Sequence, residues 1–235
     1  MHLHLADYVL WFSSPVILAG VLLVMHKRRL DRAYACFFFY VALNIVCEPV
    51  LFLAYYSSYS VYYYAYYINL SINVVLSLAV FLEILNYAFA AHHQLRQIIQ
   101  LMVWSSIAFV LAVALLRGHG IRSELGPLTG MLLYTDRLLR VAQCALLLLL
   151  FVFRTYLAIS RRDFVFGIAF GFGLFAVMNL IVATGASRHG LVRLSILGTV
   201  NSVAYVIAAL IWLGYALWGQ VHPRPSPDTL IGAEG

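Results

Sequence analysis

The chain has 235 residues, of which 64% are hydrophobic and only 10% charged, with a net charge of +6. A soluble domain is nearer half apolar and a quarter charged, so the composition excludes an ordinary soluble fold. Apolar spans of about 20 residues each use up almost the whole length and leave no room for an extramembrane domain.

The positive charge does not point to nucleic acid, because the basic residues sit mostly in short connections, where they set membrane orientation. Cys36, Cys47 and Cys144 all fall inside apolar stretches, so no disulfide framework is implied. The first apolar run lacks a basic segment before it, and the N-terminus does not read as a cleavable signal peptide.

Hydropathy and length predict seven helices, at about 7–26, 34–55, 62–90, 97–116, 129–156, 164–184 and 192–218, within a single domain over about 1–220. The first span ends in His26-Lys-Arg-Arg-Leu-Asp-Arg32, a strongly basic connection. The second carries Asn44 and Glu48 one turn apart, with Pro49 next. Between the second and third lies Tyr55-Tyr-Ser-Ser-Tyr-Ser-Val-Tyr-Tyr-Tyr-Ala-Tyr-Tyr67. Such a tyrosine run reads first as an interfacial belt and second as a stacking lip at a ligand entrance. In the third span Asn69, Asn73, Ser77 and Glu83 share one broad arc. Arg96 follows it, and Arg117 and Arg122 follow the fourth span.

The fifth span, Met131 to Phe153, contains Asp136, Arg137, Arg140 and Gln143. Asp136, Arg140 and Gln143 fall at i, i+4 and i+7 and so share a face. An ionised group at mid-bilayer costs roughly 2.5–3.5 kcal/mol, so this set needs partners, water or a ligand. Arg161 and Arg162 precede the sixth span, which carries Gly167, Gly171 and Gly173 among phenylalanines and ends in Asn179. The glycines predict close helix packing. The seventh span carries Asn201 and Ser202, and the tail from 221 to 235 is short, Pro-rich and reads as disordered. Lys27, Arg28, Arg29, Arg32, Arg96, Arg161, Arg162 and Arg224 fall on one side of this topology, which predicts the N-terminus outside and the C-terminus in the cytoplasm.

The first three and last three spans show a weak parallel similarity. Arg28-Arg-Leu-Asp31 leads to Asn44, and Arg161-Arg-Asp163 leads to Asn179. Asn73 and Asn201 open matching stretches that end in Tyr87-Ala88 and Tyr215-Ala216. A 3+1+3 repeat of this kind is a transporter device.

Depth along the helices makes Glu48 a partner for Arg137 or Arg140. Glu48, Glu83 and Asp136 bring three negative charges against two from Arg137 and Arg140. One carboxyl, Glu83 first, is therefore expected to be protonated, to bind a cation, or to reach water or Arg154 at the cytoplasmic end. Asn44, Asn73, Asn179 and Asn201 complete the list of ligand-binding or coupling candidates. No histidine lies at mid-span, which argues against a bis-His haem, and no third ligand accompanies His2 and His4 or His92 and His93 for a metal. Lys27 is the only lysine, so a retinal Schiff base on the last helix is unavailable. No cofactor and no catalytic motif is implied.

The opening Met1-His-Leu-His-Leu-Ala-Asp-Tyr-Val-Leu-Trp-Phe-Ser-Ser-Pro15 resembles that of an uncharacterised family of bacterial seven-helix membrane proteins. The similarity extends to Asp136-Arg137 with Arg140 and Gln143, to Phe166-Gly-Ile-Ala-Phe-Gly-Phe-Gly173 and to Ile211-Trp-Leu-Gly-Tyr215. It implies a multi-pass protein of the bacterial inner membrane and supplies no residue roles.

Three functional classes follow. The first is a small-ligand receptor or sensor inside an all-α, seven-helix integral membrane bundle, signalling through a cytoplasmic partner. The second is a small-solute transporter coupled to a proton or cation through a buried carboxylate. The third is an enzyme acting on lipid, for which no nucleophile or metal set is present.

Overall fold

The computed structural model describes residues 5–88, 160, 162–186 and 192–219, together with Leu138, Arg140, Val141, Cys144, Ala145 and Leu148. The fourth predicted span, most of the fifth, and the tail lie outside the described residues, as do Asp136, Arg137 and Gln143. Described residues fall into helices α1 (Leu5–Lys27), α2 (Ala35–Ser57), α3 (Tyr59–Ala88), α4 (Phe164–Ala186) and α5 (Val192–Trp218). Leu138, Arg140, Val141, Cys144, Ala145 and Leu148 are also helical. Among the described residues there is no strand.

Four of these helices, α2 to α5, are long and apolar enough to cross a membrane. Their outer faces suit a lipid environment. Leu53, Val75, Phe39 and Ile181 point outward and exposed, while Ser14, Asn44, Ser77 and Asp163 are buried. A polar interior under an apolar exterior is what a lipid solvent selects. Among the described residues the fold is all-helical, and four helices able to span a bilayer make the chain a multi-pass membrane protein.

Two ends can be distinguished. Lys27, Arg28, Arg29, Arg32 and Arg162 gather where α1 and α5 finish and α2 and α4 begin. The tyrosine run lies at the opposite end, where α2 gives way to α3. The sequence left about residues 56–61 as a connection there, whereas Ser58 alone separates the two helices. Its extended backbone stops α2. Its hydroxyl then accepts the Val61 N–H at 3.3 Å and its carbonyl the Tyr62 N–H at 3.0 Å, which starts α3.

Neighbours run α1–α2–α3–α4–α5, and α5 returns to α1, with the lightest contact between α3 and α4. The centre of this ring is aromatic. Phe37 of α2 lies edge-on to Phe164 (5.9 Å) and Trp212 (5.3 Å), and Trp212 packs on Phe172 at 5.0 Å. Trp212 is fully buried, and its indole N–H donates to the Ile168 carbonyl at 3.2 Å. The two helices approach closely because α4 presents glycine. A Cβ on Gly171 would run into the Trp212 indole, and one on Gly167 into the Tyr215 ring. The space these glycines open is filled by those rings, in keeping with the close packing read from the sequence.

The basic end is fixed by two caps. At the end of α1, Arg29 is held at φ 55°, Arg29 N–H donates to the His26 carbonyl, and Leu30 N–H to the Met25 carbonyl. This is a Schellman closure, and the buried Leu30 and Met25 supply its usual hydrophobic contact. Arg28 then reaches across to the C-terminus of α5, donating to the carbonyls of Ala216 (2.6 Å), Leu217 (3.2 Å) and Gly219 (2.8 Å). A cation at the negative end of a helix dipole satisfies carbonyls that have no partner within the helix.

Candidate functional site

The inner face of α2 reads Phe37, Tyr40, Val41, Asn44 and Glu48, a stripe that changes from aromatic to polar along the helix. Tyr40 packs on Phe172 at 5.0 Å and marks the boundary. One turn on, the Asn44 amide donates to the Tyr40 carbonyl (2.8 Å) and to Asn73 Oδ1 of α3 (3.0 Å). Asn73 donates in turn to Asn69 Oδ1 at 2.8 Å. The three amides form a directional chain, Asn44 giving to Asn73 and Asn73 to Asn69. Ser77, on the same arc, bonds its own helix at the Val74 carbonyl.

Another turn along α2 stands Glu48. The Ser14 hydroxyl of α1 lies 2.5 and 2.6 Å from its two oxygens. A hydroxyl and a carboxylic acid can exchange two hydrogen bonds across such a bridge; a hydroxyl and a carboxylate can form only one at a time. Ser14 and Glu48 each immediately precede a proline inside the helix, Pro15 and Pro49. Each proline removes one backbone donor, so two helices are weakened at the level of this contact.

From α5, Asn201, Tyr205 and Trp212 fall on one stripe at i, i+4 and i+11. The Tyr205 ring packs on Phe175 of α4 at 5.2 Å. Its buried phenol lies within electrostatic reach of Tyr40, Glu48 and Arg140. Arg140 sets its guanidinium over the Phe175 ring, 5.0 Å from the centroid, a cation–π contact. Arg140, Phe175, Tyr205, Glu48 and Ser14 thus make a line across the interior. It starts on the helical segment around Arg140 and passes α4, α5 and α2 to reach α1. The Asn201 side chain holds a buried oxygen, Oδ1, with no hydrogen-bond partner among the described residues. A buried acceptor without a donor is costly and marks a place where a ligand or water belongs.

The structure therefore joins Asn44 to Asn73 by a hydrogen bond one turn of α2 from Glu48, and sets Tyr205, one turn of α5 from Asn201, within electrostatic reach of Glu48 and Arg140. It links Glu48 to Arg140 through Tyr205, and the hydrogen bonds described for the Glu48 carboxyl come from Ser14. Asn179 spends its amide on the Phe175 carbonyl one turn back, at 3.3 Å. Glu83 lies elsewhere, near the basic end. Its two oxygens accept the N–H groups of Cys36 and Phe37, each at 3.1 Å. These are first-turn donors of α2, whose own cap residue, Tyr34, offers no side-chain bond. Glu83 thus caps a neighbouring helix, a use of a carboxylate that the sequence reading did not consider. Tyr34 sits beside it, packed between a tilted Tyr87 (5.5 Å) and an edge-on Phe164 (5.2 Å). Burial, reinforced by Tyr87, pushes its phenol well above the ordinary tyrosine value.

Ser14, Tyr40, Phe175 and Tyr205 were not singled out from sequence. The available signals were a serine pair ahead of Pro15 in an apolar span and a tyrosine one turn from Asn201. Among the described residues no group of three or more metal-ligating side chains occurs. At the tyrosine end, Tyr63 packs on Tyr67 (4.7 Å) and Tyr55 on Tyr62 (5.6 Å), while Tyr64 and Tyr56 face outward. That mixture suits both a belt and a lip. No family model matches the chain, and no curated protein or solved structure matches it either.

Proposed function

We propose that this chain is a seven-helix protein of the inner membrane that binds a small polar ligand in the layer formed by Arg140, Tyr205, Glu48 and Asn201. The reading is that of a sensor, passing occupancy to a cytoplasmic partner. The observation that carries it is the buried Asn201 oxygen, which has no donor among the described residues and lies one turn of α5 from Tyr205, itself within electrostatic reach of Glu48 and Arg140. A guanidinium at one end, an acid at the other, and a phenol and amides between them offer complementary contacts to a solute with both donor and acceptor groups. The gathering of Lys27, Arg28, Arg29, Arg32 and Arg162 at one end supports a cytoplasmic placement of that end, with the N-terminus outside.

A transporter is the second reading, and the Ser14–Glu48 contact favours it. A carboxyl that can gain or lose a proton while hydrogen-bonded to a hydroxyl, between two proline-weakened helices, has the parts of a coupling site.

The test is native mass spectrometry of protein purified in mild detergent. A defined small molecule bound to the wild type and lost from both Arg140→Leu and Asn201→Ala supports the ligand layer and names its chemistry. A ligand-free wild type, with both variants merely less heat-stable, would make the layer a structural network and overturn the proposal.

A further inference from the structure

The outer surface between α4 and α5 carries a groove of ≈ 560 Å³ at the basic end, lined by Arg162, Phe170, Ile211, Gly214, Tyr215 and Trp218 among others. It is separate from the interior layer. We infer that this groove is a binding site for a single anionic phospholipid, with the headgroup phosphate on Arg162 and an acyl chain along the slot beside Gly214.

Three glycines of this helix pair show why the slot exists. The space at Gly167 and Gly171 is taken by Tyr215 and Trp212. At Gly214 an added Cβ would meet only the rim of Trp218, at 3.9 Å. Its missing side chain leaves room that the protein does not fill. The walls are apolar and face outward. Phe170 is 40% exposed and Trp218 81% exposed. In a membrane-spanning helix pair the solvent at such a wall is lipid, and an exposed tryptophan at a helix end belongs at headgroup level.

Charge selects which lipid. Arg162 is exposed, and its guanidinium has no hydrogen-bond or ion-pair partner among the described residues. It precedes α4, whose N-terminal dipole end also favours an anion. The nearby C-terminus of α5 would repel a phosphate, but Arg28 is spent on that terminus and offsets its partial charge at Ala216, Leu217 and Gly219. An apolar slot between membrane helices with a cation at its headgroup end suits an anionic headgroup and its acyl chain.

The test uses full-length protein in detergent with equimolar phosphatidylglycerol and phosphatidylcholine, read by native mass spectrometry. The expected result is one retained phosphatidylglycerol per chain. Its preference over phosphatidylcholine should be about fivefold, the worth of one basic residue beside an anionic surface. Arg162→Gln should abolish the preference, and Gly214→Leu should lower retention of both lipids by filling the slot. Arg32→Gln, at the same end but outside the groove, should leave the preference unchanged. Equal retention of the two lipids by the wild type would overturn the inference. So would a preference that survives Arg162→Gln, or one that falls as much in Arg32→Gln. Size-exclusion profiles verify that each variant is folded, since neither Arg162 nor Gly214 packs into the core.

Discussion

Replacing Glu83 separates a structural from a coupling role. Its carboxylate accepts two N–H groups from the first turn of α2, at Cys36 and Phe37, and no side chain of α2's own cap residue substitutes for it. Losing an N-terminal cap costs about 0.5–2 kcal/mol. Leaving a buried donor unsatisfied costs about 1–3 kcal/mol. With two partly buried donors released, Glu83→Ala should lose about 2–4 kcal/mol of stability. Glu83→Gln keeps one acceptor but sets an amide NH2 against the second backbone N–H, so it should lose about half as much. The assay is thermal or denaturant unfolding in detergent, followed by the loss of monodisperse protein. The order should be wild type, then Gln, then Ala. Glu83→Gln with wild-type stability but an altered pH dependence of ligand binding or transport would refute the cap and restore Glu83 to the coupling site.

Two further outcomes follow from the same end and the same helix pair. Arg29 holds a left-handed backbone that an L side chain adopts at a cost of about 1–2 kcal/mol, so Arg29→Gly should stabilise the protein by up to about 1 kcal/mol once glycine's greater unfolded entropy is counted. A lower melting temperature for that variant would contradict the Schellman closure. Gly171→Ala drives a methyl into the buried Trp212 indole and should destabilise by about 1–3 kcal/mol, with a changed tryptophan emission, whereas Gly214→Ala should be close to neutral. Equal melting of the two variants would show that α4 and α5 do not approach as described.

Much of this protein was legible in one dimension. Long apolar stretches can be stable only as helices in lipid, because every backbone group must find its partner within the segment. That constraint carries the all-helical membrane class directly from composition. Polar residues in such stretches stand out, so Arg140, Glu48, Asn44, Asn73 and Asn201 could be named as candidates from the sequence. Gly167 and Gly171 read as a packing face because small residues let helix backbones approach.

Tertiary structure decided which of those residues meet. Helical periodicity gives a direction around one axis and says nothing of the partner across the bundle. Glu83 shares an arc with Asn73 on α3, yet distance along the helix carries it to the start of α2, where backbone donors claim it. Glu48 looked toward an arginine by depth, while the fold sets Ser14 against it and reaches Arg140 through Tyr205 and Phe175. Arg28 and Arg162 are alike as loop cations in sequence; only the approach of α5 spends the first on helix carbonyls and leaves the second beside an apolar groove. Composition and period fix the solvent and the secondary structure of each segment. The assignment of charges to caps, to a polar layer or to a lipid surface depends on contacts between segments far apart in the chain, which appear only when the helices pack.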